Sequence, residues 1–118
     1  MPYDHQNVFA RILRGELPCR KVYEDKFVLA FHDINPKAPT HVVVIPKGHY
    51  MSMDDFAAHG KEEELFHFLR AVNKIAVACG TAETGYRLIA NNGIHGGQEV
   101  PHAHMHVLGG KPLGQMIQ

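Results

Sequence analysis

The sequence predicts an α+β fold: a mostly antiparallel five-stranded sheet carrying one short and one long helix. Three observations point there. Residues 61–79 repeat their apolar side chains at helical spacing. Five short runs rich in β-branched or aromatic residues are separated by turn residues. Their order is helix, hairpin, strand, helix, two strands, which does not suit a doubly wound parallel sheet. A chain of 118 residues is expected to form a single domain spanning 1–118, with one modest core.

The elements follow in order. Asn7 can cap a short helix running to about Arg14, with Val8, Phe9, Ile12 and Leu13 as its apolar stripe and Gly15 as its stop. Lys21 to Glu24 and Phe27 to His32 flank Asp25-Lys26 as a hairpin. Asp33-Ile34-Asn35-Pro36 and Ala38-Pro39 make a stiff connection to His41–Pro46, whose β-branched run reads as a central strand. In the long helix Leu65, Phe68, Leu69, Val72, Ile75, Ala76 and Cys79 recur at helical spacing. Glu62, Glu63 and Glu64 occupy its first turn, where carboxylates complement the helix dipole, and Gly80 ends it. Tyr86 to Ala90 and His102 to Leu108 are the last two strands, joined by a glycine-rich polar loop, Asn91 to Glu99.

Composition removes whole classes of function. Lys plus Arg is 12 and Asp plus Glu is 12, so there is no basic footprint for nucleic acid. No apolar stretch reaches the ~20 residues of a spanning helix, and Tyr3, Asp4 and His5 interrupt any leader-like run. Cys19 and Cys79 form no C-x-x-C pair and read as reduced thiols, so a cytoplasmic setting is expected. The unusual figure is ten histidines.

Three of these fall in His102-Ala-His104-Met-His106-Val-Leu108. On a strand, His102, His104 and His106 share one face at ~6.6–7 Å intervals, while Ala103, Met105 and Val107 face the core. A solvent-facing polar stripe and a metal site completed by His41 both fit that pattern. The third reading is nucleophilic and acid–base work on a phosphoryl group. Neutral imidazole is a competent nucleophile at phosphorus once its other nitrogen holds the proton, and neighbouring groups can neutralise charge on the oxygens. Gly96 and Gly97 would let the preceding backbone approach a phosphate.

Residues 102–108 fit the His-φ-His-φ-His-φ-φ signature, φ being apolar, and the chain resembles the histidine-triad family along nearly its whole length. The likeness runs from Val8-Phe9 through His32-Asp33-Ile34, Pro39-Thr40-His41 and Ile45-Pro46-Lys47 to Gly109–Gly114. Gly96-Gly97-Gln98-Glu99 is similar to the bacterial members of the nucleotide-binding, purine nucleoside phosphoramidase branch. The resemblance implies hydrolysis of AMP–amine or GMP–amine conjugates, including aminoacyl adenylates, by a homodimer whose sheet continues across the interface, with no cofactor and no metal. It implies His104 as the nucleophile and His106 at the α-phosphate. His102, with His41 behind it, would orient the triad and relay protons. Asp33 would hold the ribose hydroxyls, and Phe9, Ile12, Phe31 and Ile34 would wall the purine. Asn91 and the backbone of Gln98, Glu99 and Val100 would meet phosphate oxygens; the Glu99 carboxylate stands where animal relatives often carry serine, and only its backbone is assigned. Dinucleoside polyphosphate hydrolysis and a nucleotide-binding regulatory module with incidental hydrolysis are the rival readings. A zinc-binding signalling protein is a further one.

Overall fold

A computed structural model describes residues 2–117; Met1 and Gln118 lie outside them. The elements are α1 (Val8–Leu13), β1 (Lys21–Glu24), β2 (Val28–His32), β3 (Thr40–Pro46), α2 (Met53–His59), α3 (Glu62–Ala78), β4 (Tyr86–Ile89) and β5 (Met105–Gly109). The five strands form one sheet in the order β1-β2-β3-β5-β4, and every neighbouring pair is antiparallel. This is the expected α+β architecture.

β2 and β3 sit centrally because they are apolar on both faces. The two-residue period sends Val28, Ala30, Val42 and Val44 one way, where they pack with Phe68, Ala71, Val72 and Ile75 of α3 and Phe56 of α2. It sends Leu29, Phe31, Val43 and Ile45 the other way, onto Phe9, Ile12 and Leu13 of α1. A run such as Val42–Ile45 therefore needs both covers. The α1 face is covered by only six helical residues. That leaves room beside α1 for a site.

The expected Asn7 cap forms, its Oδ1 accepting the Ala10 N–H at 2.9 Å. At the start of α3 the Lys61 N–H also donates to Glu64 Oε1 at 3.0 Å, a cap that the acidic first turn alone did not specify. Three features differ from expectation. α2 was not anticipated: Ser52 caps it by accepting the Asp55 N–H at 3.0 Å, but its single buried residue, Phe56, gives no periodic stripe. Leu69 is 68% exposed, because it lies about 100° round the helix from Phe68, away from the face that Phe68, Val72 and Ile75 present to the sheet.

The third difference is the start of β5. The β3–β5 ladder begins at Val44–Met105, so His102, Ala103 and His104 precede the strand. Pro46 has no N–H with which to extend pairing. The segment turns aside there, the Ala103 N–H donating to Tyr50 O at 2.8 Å. Ala103, Met105 and Val107 still point into the α3-side core as expected.

Truncating Ile75, which is fully buried between α3 and the sheet, should cost about 2–4 kcal/mol in denaturant unfolding. Ile117→Ala, at an exposed position, should stay within about 0.5 kcal/mol of wild type.

Candidate active site

The bend before β5 makes the three histidines unequal. His102 is 0% exposed. Its Nε2–H donates to Pro46 O at 2.8 Å, and its Nδ1 accepts from the Tyr3 hydroxyl at 2.5 Å. Both ring nitrogens are therefore occupied, and no phosphate could bridge His102 to a neighbour as a flat strand would allow. His104 follows, buried, with its ring edge against Phe9 at 5.0 Å and against His106 at 5.2 Å between centroids. His106 sits within β5, opposite Val43 of β3 and Ile89 of β4.

The partners assign each neutral tautomer. His104 Nδ1 lies 2.7 Å from the His102 carbonyl oxygen, which can only accept, so Nδ1 carries the proton. Nε2 is then a bare lone pair. It has no hydrogen-bond partner among the described residues, and no buried side-chain nitrogen there lacks one, so Nε2 reaches solvent. The backbone N–H of Lys37 donates to His41 Nδ1 at 3.0 Å, so His41 carries its proton on Nε2. That proton goes to His106 Nδ1 at 2.9 Å, which leaves His106 with an Nε2–H donor. His41 thus stands behind His106, not behind His102: β3 places it across the sheet from β5 at the level of Leu108.

Burial dominates the electrostatics. It pulls His102 down to about 4, against the bond to Pro46 O, with His104 and His49 adding to the depression. It likewise pulls His106 to about 4, helped by His104 and His41 and opposed by Asp33. His41 is also lowered by burial, with the Asp33 carboxylate opposing. At neutral pH these are uncharged rings held in fixed tautomers.

Asp33, just past β2, brings Oδ2 to 3.4 Å from His41 Nε2 and 4.0 Å from His106 Nδ1, while Oδ1 accepts the Asn35 N–H. Asp33, His41 and His106 are the one group among the described residues whose ligand atoms are close enough for a metal ion. The hydrogen bonds do not fit one. A metal-bound histidine donates through its other nitrogen, whereas His41 Nδ1 accepts from Lys37; ligation through Nε2 would leave that ring with no proton at all. The cluster is built to hold protons.

Phe9 and Phe31 meet edge to face at 5.6 Å beneath His104, and Ile12 packs half-buried beside them. Ile34 stands apart from that wall at 92% exposed. In the 91–99 loop Asn91 is half-buried and Glu99 exposed, while Val100 packs on the α1-side core. Gly97 adopts φ +73, and a Cβ on Gly96 would lie 2.4 Å from Asn92 O, so both glycines serve the tight turn of the loop itself.

Several positioning groups were not apparent from sequence. Gln98 uses its side chain as well as its backbone, donating from Nε2 to Met51 O at 2.7 Å and Val100 O at 3.0 Å and accepting the Gly93 N–H. Asn92 Oδ1 accepts the Asp54 N–H at 2.8 Å. The polar character of the loop was the only signal for these two. Tyr3 and the Pro46 carbonyl had none.

Comparison with known proteins bears on the family and the fold. Residues 14–113 match the HIT domain family. The chain is 47% identical over 112 residues to the Escherichia coli purine nucleoside phosphoramidase, covering 95% of this chain and 93% of that one. It is 58% identical over 115 residues to a HIT-like protein of Azospirillum brasilense, covering 98% and 94%. A HIT family hydrolase from Clostridium thermocellum superposes with a TM-score of 0.88 at 43% identity, covering 98% of this chain and 99% of the other. A histidine triad nucleotide-binding protein from Candida albicans superposes at 0.78 with 30% identity, covering 86% and 73%. The chain belongs to the HIT family and is one of its hydrolases.

Proposed function

We propose that this protein hydrolyses the P–N bond of purine nucleoside 5′-phosphoramidates through a nucleotidyl intermediate on His104. The observation that carries this reading is the 2.7 Å bond from His104 Nδ1 to the His102 carbonyl, which leaves Nε2 unprotonated and open. The likeness to the E. coli phosphoramidase supports the substrate class.

In the first step Nε2 bonds to the α-phosphorus as the P–N bond breaks. The bonding pair leaves with the amine, which takes a proton from solvent. In the second step water attacks phosphorus, the P–Nε2 bond breaks, AMP or GMP departs, and a proton returns to solvent. One water is consumed per bond cleaved. His106 Nε2–H donates to a non-bridging oxygen as charge develops there, and His41 holds His106 in the donating tautomer. His102 acts through its carbonyl; with both nitrogens occupied it is a poor proton relay. Asp33 accepts from the ribose hydroxyls, Phe9, Phe31 and Ile12 wall the purine, and the exposed Ile34 is an apolar flap that a bound base would cover. Asn91 and the backbone of Gln98, Glu99 and Val100 meet the phosphate oxygens.

We also infer a homodimer. Phe66, Leu69 and Val77 form an exposed apolar stripe on α3, and β4 pairs with β5 on one side only. An unpaired edge strand and an exposed apolar helix stripe each suit a two-fold interface that continues the sheet. Leu69→Glu should convert a dimer to a monomer in light scattering; a wild-type chain that already runs as a monomer would refute the interface.

His104→Ala should lower turnover of an AMP–amine conjugate by at least about 10³-fold while AMP binding, measured by calorimetry, is retained. Retained turnover would remove His104 as nucleophile. Faster turnover of diadenosine triphosphate than of the conjugate by wild type would reassign the substrate class.

The depressed histidines also set a pH dependence. His102 and His106 titrate near 4 when folded against an ordinary value of 6.5, so the unfolded chain binds more protons between those limits. Their contribution to stability is complete above pH 6.5 and is lost as pH falls toward 4. Thermal unfolding should show Tm decreasing from pH 6.5 to 5, with a shallower slope in His106→Asn.

A further inference from the structure

The N-terminal segment carries a contact that the reaction as written does not use. Tyr3 lies outside residues 14–113, which match the family, yet its hydroxyl reaches the buried His102 ring at 2.5 Å, across 99 positions of sequence. His102 Nε2–H is already given to Pro46 O, so Nδ1 can only accept and the phenol must donate. Burial raises the Tyr3 phenol above its ordinary range, so it keeps the proton it donates.

The placement of Tyr3 is itself fixed. Its ring stacks on His49 at 4.7 Å with 10° between planes, and His5 meets both rings edge-on at 5.0 Å. Asn7 anchors the segment to α1, donating from Nδ2 to Asp4 O at 2.7 Å while its Oδ1 caps the helix. Tyr3 also meets His102 edge to face at 5.7 Å. His102 is thus gripped on both ring nitrogens, by Tyr3 and by Pro46, and its own carbonyl receives His104 Nδ1.

We propose that Tyr3 is a positioning residue for the nucleophile: its hydroxyl locks the His102 ring, and the His102 carbonyl in turn holds His104 in the tautomer and orientation that expose Nε2. The proposal rests on the assignment of His104 as nucleophile. Without the hydroxyl, His102 Nδ1 loses its donor inside the protein. The ring must then take a proton, flip or admit water, and each alternative frees the carbonyl to move. Among the described residues no hydrogen bond or ring pairing joins Tyr3 to Phe9, Phe31 or Asp33, so nucleotide affinity should be insensitive to it. The titratable groups facing His102 are His49 and His104; Tyr3 itself faces His5, Asp4 and Arg14.

The experiment compares wild type with Tyr3→Phe, which keeps the stacking ring, and with Tyr3→Leu, which removes it. Tyr3 is half-buried in a segment outside both cores, so the variants should fold. Turnover of an AMP–amine conjugate is measured against pH, and the imidazole nitrogens of His102 and His104 are followed by nitrogen-15 NMR. Tyr3→Phe should lower kcat about tenfold with KM within about twofold. The acid limb of its pH profile should move upward, and His102 should lose its single Nε2–H tautomer. Tyr3→Leu should match Tyr3→Phe, because the hydroxyl is the common loss. Unchanged kcat and pH profile in Tyr3→Phe would overturn the proposal, as would a fall in kcat with both histidine spectra unaltered. The NMR arm needs no turnover, so it reads the Tyr3–His102–His104 linkage even if His104→Ala proves active and the nucleophile lies elsewhere.

Discussion

The carbonyl of Pro46 is the point on which the site turns. It ends β3 at a residue that cannot continue the ladder, and His102 Nε2–H takes it at 2.8 Å. That one bond draws the approach to β5 out of the sheet, buries the first histidine and turns its main-chain oxygen toward the second. A flat strand would have exposed three equivalent rings. The bend instead yields one ring with both nitrogens bonded, one with an open Nε2 and one with an Nε2–H, from residues that differ only in position.

The rest of the fold packs around that arrangement. α3 fills one face of the sheet with a large apolar cluster. α1 covers only part of the other, leaving the aromatic floor of Phe9 and Phe31 next to His104. Burial makes charging His41, His102 and His106 costly, while the carbonyl of His102 and the N–H of Lys37 fix the tautomers of His104 and His41. Protonation state and orientation thus come from the same packing.

Much of this was legible in the chain because it is local. The Asn7 cap, the VVVI strand, the periodicity of α3 and the inward alternation of Ala103, Met105 and Val107 all depend on spacing of a few residues. What was not legible depends on tertiary company. α2 has one anchor, Phe56, and so no period. Leu69 differs from Phe68 only in which way the helix is rolled against the sheet. His41 partners His106 through strand register, which a linear sequence does not display. The Tyr3 hydroxyl finds its acceptor across nearly the whole chain. Alternation alone also carries the strand back to His102, where Pro46 has already ended the pairing.

The stretch from the end of β3 into the first turn of α2 ties these parts together. Tyr50 O takes the Ala103 N–H, Met51 O takes Gln98 Nε2, and the Asp54 N–H goes to Asn92 Oδ1. On the 50–54 side every one of these bonds uses main chain. Side chains there are free to drift as far as these bonds are concerned, whereas adding or deleting a single residue would pull the triad approach and the 91–99 loop out of step with each other. These cross-links therefore constrain the length of the segment, while the Ser52 cap and the packing of Tyr50 and Met53 constrain its composition.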